Sequence, residues 1–334
     1  MKKSLNEICN LFIENRDLLK NMSKWQNSQM AALCSAAFCA EGKTVDRERF
    51  KQCRNLLHEQ SSLFSYFRGN LELYLISKLS MQDDPFEKFD HIKENYEILK
   101  KYFWSSEYLI LIAAALSDMI PAEKTEVYAD RGKKLYEMMK TEHPFLTGSE
   151  DSIFAVLLAF SPQENQTLIA ETEACFQLLK NEFSGNGVQS VSHVLTLLPG
   201  KADEKSEKFL SLYRALAAQG KKYGRYFELP ALAALSAAVT DLKQAVSDIE
   251  SIDDFLYAQS GYGLFGLSSK IRLMHAVTLL SCSMLHERTG EEAEENAAAL
   301  TIISAQQATT LSIIAAQQAA ACAAIAASSA AASH

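Results

Sequence analysis

Proline and glycine are scarce, six and 13 in 334 residues. That scarcity argues against turn-rich β structure and for long, uninterrupted helices. An excess of positive charge is also missing. The formal net charge is −8 and the pI about 5.5, which excludes a general nucleic-acid binder, since such a protein needs Lys and Arg in excess to neutralise phosphates. None of the seven cysteines (Cys9, Cys34, Cys39, Cys53, Cys175, Cys282 and Cys322) stands in C-x-x-C spacing. Most sit among apolar residues, as small hydrophobes of a reducing compartment do. The amino-terminal apolar run is broken by acids and asparagines, so it reads as an amphipathic helix and not a signal peptide. No transmembrane span is expected before the tail, and a cytoplasmic protein is expected.

What is present is helical periodicity. Leu5, Ile8, Cys9, Phe12, Leu18 and Leu19 recur at helical spacing. Beyond them, nearly uncharged helices (Gln29 to Ala40, Leu71 to Leu79, the run LILIAAALS ending at Ser117) alternate with amphipathic ones. Asp46 reads as an N-cap, and Asp84 as another with Pro85 at the first helical position. Ser161-Pro162-Gln163-Glu164 reads as a capping box that opens a helix. The clearest unit is Glu126 to Ser161: an amphipathic helix, a turn holding His143, Pro144 and Gly148, then an apolar helix with Ser149 as its cap.

The apolar helices end near Ser80, Ser117, Ser161, Pro199, Ser236 and Ser281, 37 to 45 residues apart. One hairpin cannot bury its apolar face alone, so this spacing predicts an all-α chain: an array of antiparallel helical hairpins, an α-α repeat superhelix or solenoid. Residues 1–290 form the helical-repeat domain, of six or seven helix pairs. Residues 291–334 form an acidic linker and an uncharged Ala/Gln-rich helical tail. Its Ala, Ser, Thr and Cys half could dock on another helix or self-associate. Membrane insertion through the tail is disfavoured by its Gln-Gln pairs and the lack of a basic flank.

Several motifs carry a chemical reading beside a structural one. Gly261-Tyr262-Gly263-Leu264-Phe265-Gly266 matches the dinucleotide fingerprint, yet a helix precedes it where that chemistry needs a strand. It reads as a tight loop with Tyr262 and Phe265 packed beneath. Ser268, Ser269 and Lys270 could hold an anion. Asp83-Asp84-Pro85-Phe86-Glu87 has the spacing of a magnesium diphosphate motif but no facing acidic partner, which leaves the N-cap reading. Lys221, Lys222 and Arg225, interleaved with Tyr223, Tyr226 and Phe227, form a basic-aromatic cluster, read as a solvated and anchored loop. His58 with Glu59 and His286 with Glu287 lie near helix ends, and His193 and His275 lie in apolar helices. The catalytic candidates are His143, Glu150 and Asp151, crowded at one turn. No HExxH pattern or ligand spacing supports a metal, and neither a metal nor a cofactor is expected.

The segments EHPFLTGSEDSIFAVLLAF, NLLHEQSSLF and LELYLISKL resemble an uncharacterised bacterial family, catalogued as domain of unknown function four thousand and three. The resemblance runs over most of the chain. It implies a cytoplasmic, all-helical bacterial protein of about this length and carries over no activity, cofactor or site residue. The residues themselves lead to a protein-binding or scaffolding module without catalysis, nucleic acid being an unfavoured partner. The alternative is a small-molecule-binding protein or enzyme with its site at the turns near His143.

Overall fold

A computed structural model describes residues 1–22, 28–62, 65–183, 185–263 and 266–291. The chain is all-α, with no strand among the described residues. Among the described residues fourteen α-helices follow one another: α1 (Lys3–Met22), α2 (Ser28–Ala40), α3 (Arg47–Gln60), α4 (Glu72–Ser80), α5 (Pro85–Leu99), α6 (Glu107–Met119), α7 (Thr125–Glu142), α8 (Asp151–Leu158), α9 (Asn165–Leu179), α10 (Asn186–Leu197), α11 (Ala202–Ala218), α12 (Leu229–Ala238), α13 (Leu242–Tyr257) and α14 (Ser269–Glu291). Short 3-10 turns at Tyr66–Arg68 and Ala122–Lys124 punctuate the connections. The tail beyond Glu291 lies outside the described residues.

Local chemistry sets the starts. The Asp46 carboxylate accepts from the Glu48 and Arg49 amides, Asp84 from those of Phe86 and Glu87, and Asp241 from that of Gln244. Each satisfies donors that an α-helix leaves open at its first turn. The capping box expected at Ser161 does not form. α9 starts at Asn165 instead, because the side chain of Arg131 holds the 159–164 turn open. Its guanidinium takes the carbonyls of Ala159, Ser161 and Gln163 and the Asn165 side chain.

Consecutive helices pack as antiparallel pairs, α1 with α2 through α13 with α14. In the first pair Ser35 Oγ donates to the Phe12 carbonyl at 2.6 Å and Cys39 Sγ to that of Ile8 at 3.9 Å. The even-numbered helices bury most of their residues, and every residue of α8 is buried. They form the inner layer, and the amphipathic odd-numbered helices cover them. The six cysteines described are buried free thiols, and burial pushes those of Cys9 and Cys34 up to about 12.

Each odd helix closes its last turn on a buried residue: Leu19, Leu57, Leu99, Met139, Leu179, Leu216 and Leu256, at intervals of 37 to 42 residues. Four residues earlier comes another fully buried position, twice an asparagine. Asn15 Oδ1 accepts from the Val45 amide at 2.8 Å, and Asn95 Oδ1 from Thr125 Oγ1 at 2.7 Å. Both side chains tie one pair to the start of the next odd helix.

The last pair touches the first. α14 packs on α2 and α1, and α13 on α1. Lys2 Nζ meets Asp248 Oδ2 at 3.1 Å, Cys282 Sγ reaches the Ala36 carbonyl at 3.8 Å, and the Phe12 and His275 rings lie 6.0 Å apart. Between pairs, Asn70 meets Glu107 near the starts of α4 and α6, and Lys78 meets Asp118 near their ends. The odd-to-even connections therefore gather at one end of the molecule, here the loop end. The shorter even-to-odd connections gather at the other, the turn end.

Gly132 sets the closest helix approach. A Cβ there would lie 2.8 Å from Val156 Cγ2 and 3.0 Å from Val156 Cα. Gly132→Ala is expected to lose a net ~1–2 kcal/mol in urea unfolding, overpacking of α7 on α8 outweighing the roughly 1 kcal/mol gain in helix propensity. A variant as stable as the parent would show that the two helices separate freely.

Candidate functional site

The turn 143–150 divides its three candidate residues between two layers. His143 ends α7: its amide donates to the Met139 carbonyl, its Nε2 lies 2.7 Å from Glu173 Oε2, and its ring centroid is 4.2 Å from that of Phe176. Glu173 and Phe176 belong to α9 in the outer layer. Asp151 turns inward instead. Its Oδ2 accepts the Gly148 amide at 2.8 Å, and its Oδ1 lies 3.3 Å from Nδ1 of His193 on α10. Both side chains are buried, with Phe154 against the imidazole at 5.2 Å. Glu150 stands between, its carboxyl pushed up by burial, with the charge of Asp151 adding to the shift. Gln189 Nε2 donates to Thr147 Oγ1 at 3.1 Å, while its Oε1 is buried without a partner.

The carboxylate that sequence proximity grouped with His143 thus faces His193, 42 residues away. The separation is that of an ion pair, and His193 Nδ1 is buried without a hydrogen-bond partner. No nucleophile hydrogen-bonds to this imidazole, and no group of three or more His, Cys, Asp or Glu suited to a metal occurs among the described residues.

His143 has counterparts in the other odd-to-even connections: Phe67, Phe103, Phe183, Tyr223 and Tyr262, at intervals of 36 to 40 residues. Most of them pack on the residue just after the buried site in the following odd helix. Phe67 meets Tyr96 at 5.1 Å, Phe103 meets Tyr136 at 5.9 Å, His143 meets Phe176, and Phe183 meets Tyr213 at 4.9 Å. Tyr262 does the same across the junction of last and first pairs, with the Arg16 guanidinium 5.2 Å from its ring centroid.

The remaining motifs resolve into contacts of this kind. Gly261 has φ +86, and its carbonyl accepts the Leu267 amide while Gly266 N–H donates to Gly263. The loop spends these amides on itself rather than presenting them to a phosphate. Tyr262 is buried beneath it; Leu264 and Phe265 lie outside the described residues. Ser268 Oγ accepts from the Ile271 amide at the start of α14. Asp83 offers its carbonyl to Arg49, beside the Asp84 cap. His58 Nε2 lies 3.0 Å from Glu72 Oε1. Lys221 pairs with Asp253 and Asp254, and Arg225 sits over Phe183 and donates to the Glu182 carbonyl. The side chains of His286 and Glu287 lie outside the described residues.

The two ends of the molecule differ in chemistry. The described odd-to-even connections carry seven Lys and Arg against three Glu, and the even-to-odd ones three Lys against seven Asp and Glu. Of the six exposed aromatics described, Tyr66, Trp104, Phe145, Tyr226 and Tyr257 lie at the loop end and only Phe86 at the turn end. Trp104 and Phe145 are 92% and 99% exposed. Short-range sequence patterns miss this face because its parts lie on separate connections. Charge and aromatic rings adjoin within single stretches at KKYGRYF and at Lys100 to Trp104.

None of the described helices is long and apolar enough to cross a membrane. No solved structure matches the chain. Among curated proteins, it is 27% identical over 303 residues to "Uncharacterized protein YeaA" of Bacillus subtilis (strain 168), covering 87% of this chain and 88% of that protein. A family model described as "Protein of unknown function (DUF4003)" matches residues 15–319. With nearly its whole length matched, the chain belongs to the DUF4003 family of proteins of unknown function.

Proposed function

We propose that this protein is a binding or scaffolding module without catalysis: seven α-α units closed into a ring that sets its loop end against the surface of a partner. The evenly spaced buried positions of the odd helices support the repeat. The contacts of α13 and α14 with α1 and α2 favour a ring over an open superhelix. The loop end is the binding end because exposed aromatics concentrate there. A single exposed apolar residue is ordinary, but a shared end carrying five aromatic rings marks an interaction surface. A protein is the partner expected from the sequence, and the chemistry of the loop end decides its class.

A photo-cross-linking residue at position 145 is expected to capture a partner in the native host, and the same residue at position 86 on the turn end is not. Equal capture from both ends, or none from 145, would defeat the proposal.

The Asp151–His193 pair supports a second reading, a small-molecule site beneath the loop end. There His193→Gln, in a protein that still folds, abolishes binding of a metabolite from a screened library while leaving cross-linking at 145 intact.

A further inference from the structure

The partner of the loop end can be narrowed by how that end is built. We infer that it docks on an anionic phospholipid bilayer, an inference that rests on reading the loop end as the docking face. Tyr66, Trp104, Phe145 and Tyr226 stand on four different odd-to-even connections. Protein interfaces concentrate affinity in a packed, desolvated centre with a polar rim. Rings distributed over one end suit instead a planar, fluid partner that each ring can enter independently. Trp, Tyr and Phe are also the side chains that settle at the level of lipid headgroups.

Charge supplies the complement. Exposed Lys101 (3.8 Å from Glu126), Lys180 and Lys222 stand on three of the loop-end connections, which as a set are basic in a chain of net charge −8. An anionic leaflet attracts this end and repels the acidic turn end, which orients the molecule before any ring inserts. Each Lys or Arg near such a surface is worth roughly fivefold in partitioning. Insertion is peripheral, by side chains on loops.

The test is co-sedimentation of the full chain with vesicles of phosphatidylglycerol and phosphatidylcholine, against vesicles of phosphatidylcholine alone. Binding to the anionic vesicles is expected to weaken at high salt. The tryptophan emission should shift to the blue on binding, and Trp104→Phe should abolish that shift while retaining affinity. The double variant Trp104→Ala/Phe145→Ala, and separately Lys180→Glu/Lys222→Glu, should each weaken binding at least tenfold with unchanged thermal melts. These positions are exposed, so the variants are expected to fold. No binding to anionic vesicles, or binding that both double variants leave intact, would overturn the inference. If position 145 still cross-links to a protein in that case, the lipid fails and the docking end stands. If it cross-links to nothing, both fail.

Discussion

Tyr262→Ala is expected to cost ~3–5 kcal/mol, as much as an aromatic deletion in the middle of the molecule. The size is informative because Tyr262 lies in the connection before the last helix. In an open array the end unit has one neighbour, and a side chain at its outer edge contributes little. Here Tyr262 is fully buried, its hydroxyl 2.6 Å from His275 Nδ1 and its ring beneath the Arg16 guanidinium of the first helix. Truncation removes packing on α1 and α14 and leaves the His275 nitrogen without its partner. Phe183→Ala is the internal reference, since Phe183 makes the corresponding contact with Tyr213. Urea unfolding should give two losses of similar size, each in a single transition. Tyr262→Phe keeps the ring and should lose only ~1–2 kcal/mol, the cost of an unsatisfied buried group. A Tyr262→Ala loss below ~1 kcal/mol beside a large Phe183→Ala loss would mean that the ends do not bear on each other.

The alternation of apolar and amphipathic helices was readable from the sequence because burial imposes it residue by residue. Asp46 and Asp84 announced their helices because a cap is a local interaction. Arg131 shows the limit: Ser161 to Glu164 has every local mark of a helix start, but a guanidinium 30 residues away takes the carbonyls of that turn. The candidate residues show the same limit. His143, Glu150 and Asp151 are neighbours in the chain, yet their side chains leave the turn in different directions, to α9 and to α10. His193 sat in an apolar helix with nothing nearby to identify its carboxylate. His143 also takes its place in the series from Phe67 to Tyr262. That series is visible in the sequence only once the odd helices have been aligned on their buried residues. Closure of the ends was not legible at all, since Lys2 and Asp248 are 246 residues apart and neither is unusual in its own helix.

Acid should weaken the protein through the same junction. His275 is fully enclosed, and its pKa is lowered to about 3, chiefly by burial and further by the Arg16 charge. A neutral imidazole accepts the Tyr262 hydroxyl at Nδ1 and carries its proton on Nε2, which is buried without a partner. The unfolded chain protonates the same residue near pH 6.5. Above that value neither state holds the extra proton, and the contribution of the neutral ring is fully present. Between about 6.5 and 3 the unfolded state binds more protons, so stability falls on acidification by up to ~1.4 kcal/mol per pH unit. Over the whole window the loss from this one group is roughly 4 kcal/mol, a large part of what an ordinary domain has. His275→Gln should be less stable than the parent at pH 7, having lost a good acceptor for Tyr262, but should respond less to acid. Urea unfolding at pH 7, 6, 5 and 4 reads the difference, and titrations common to both proteins cancel in it. Parallel stability curves would refute the assignment. Protonation also puts a charge beside Arg16 where the first and last pairs meet, so amides of α1 and α14 should lose hydrogen-exchange protection before those of α9 and α10.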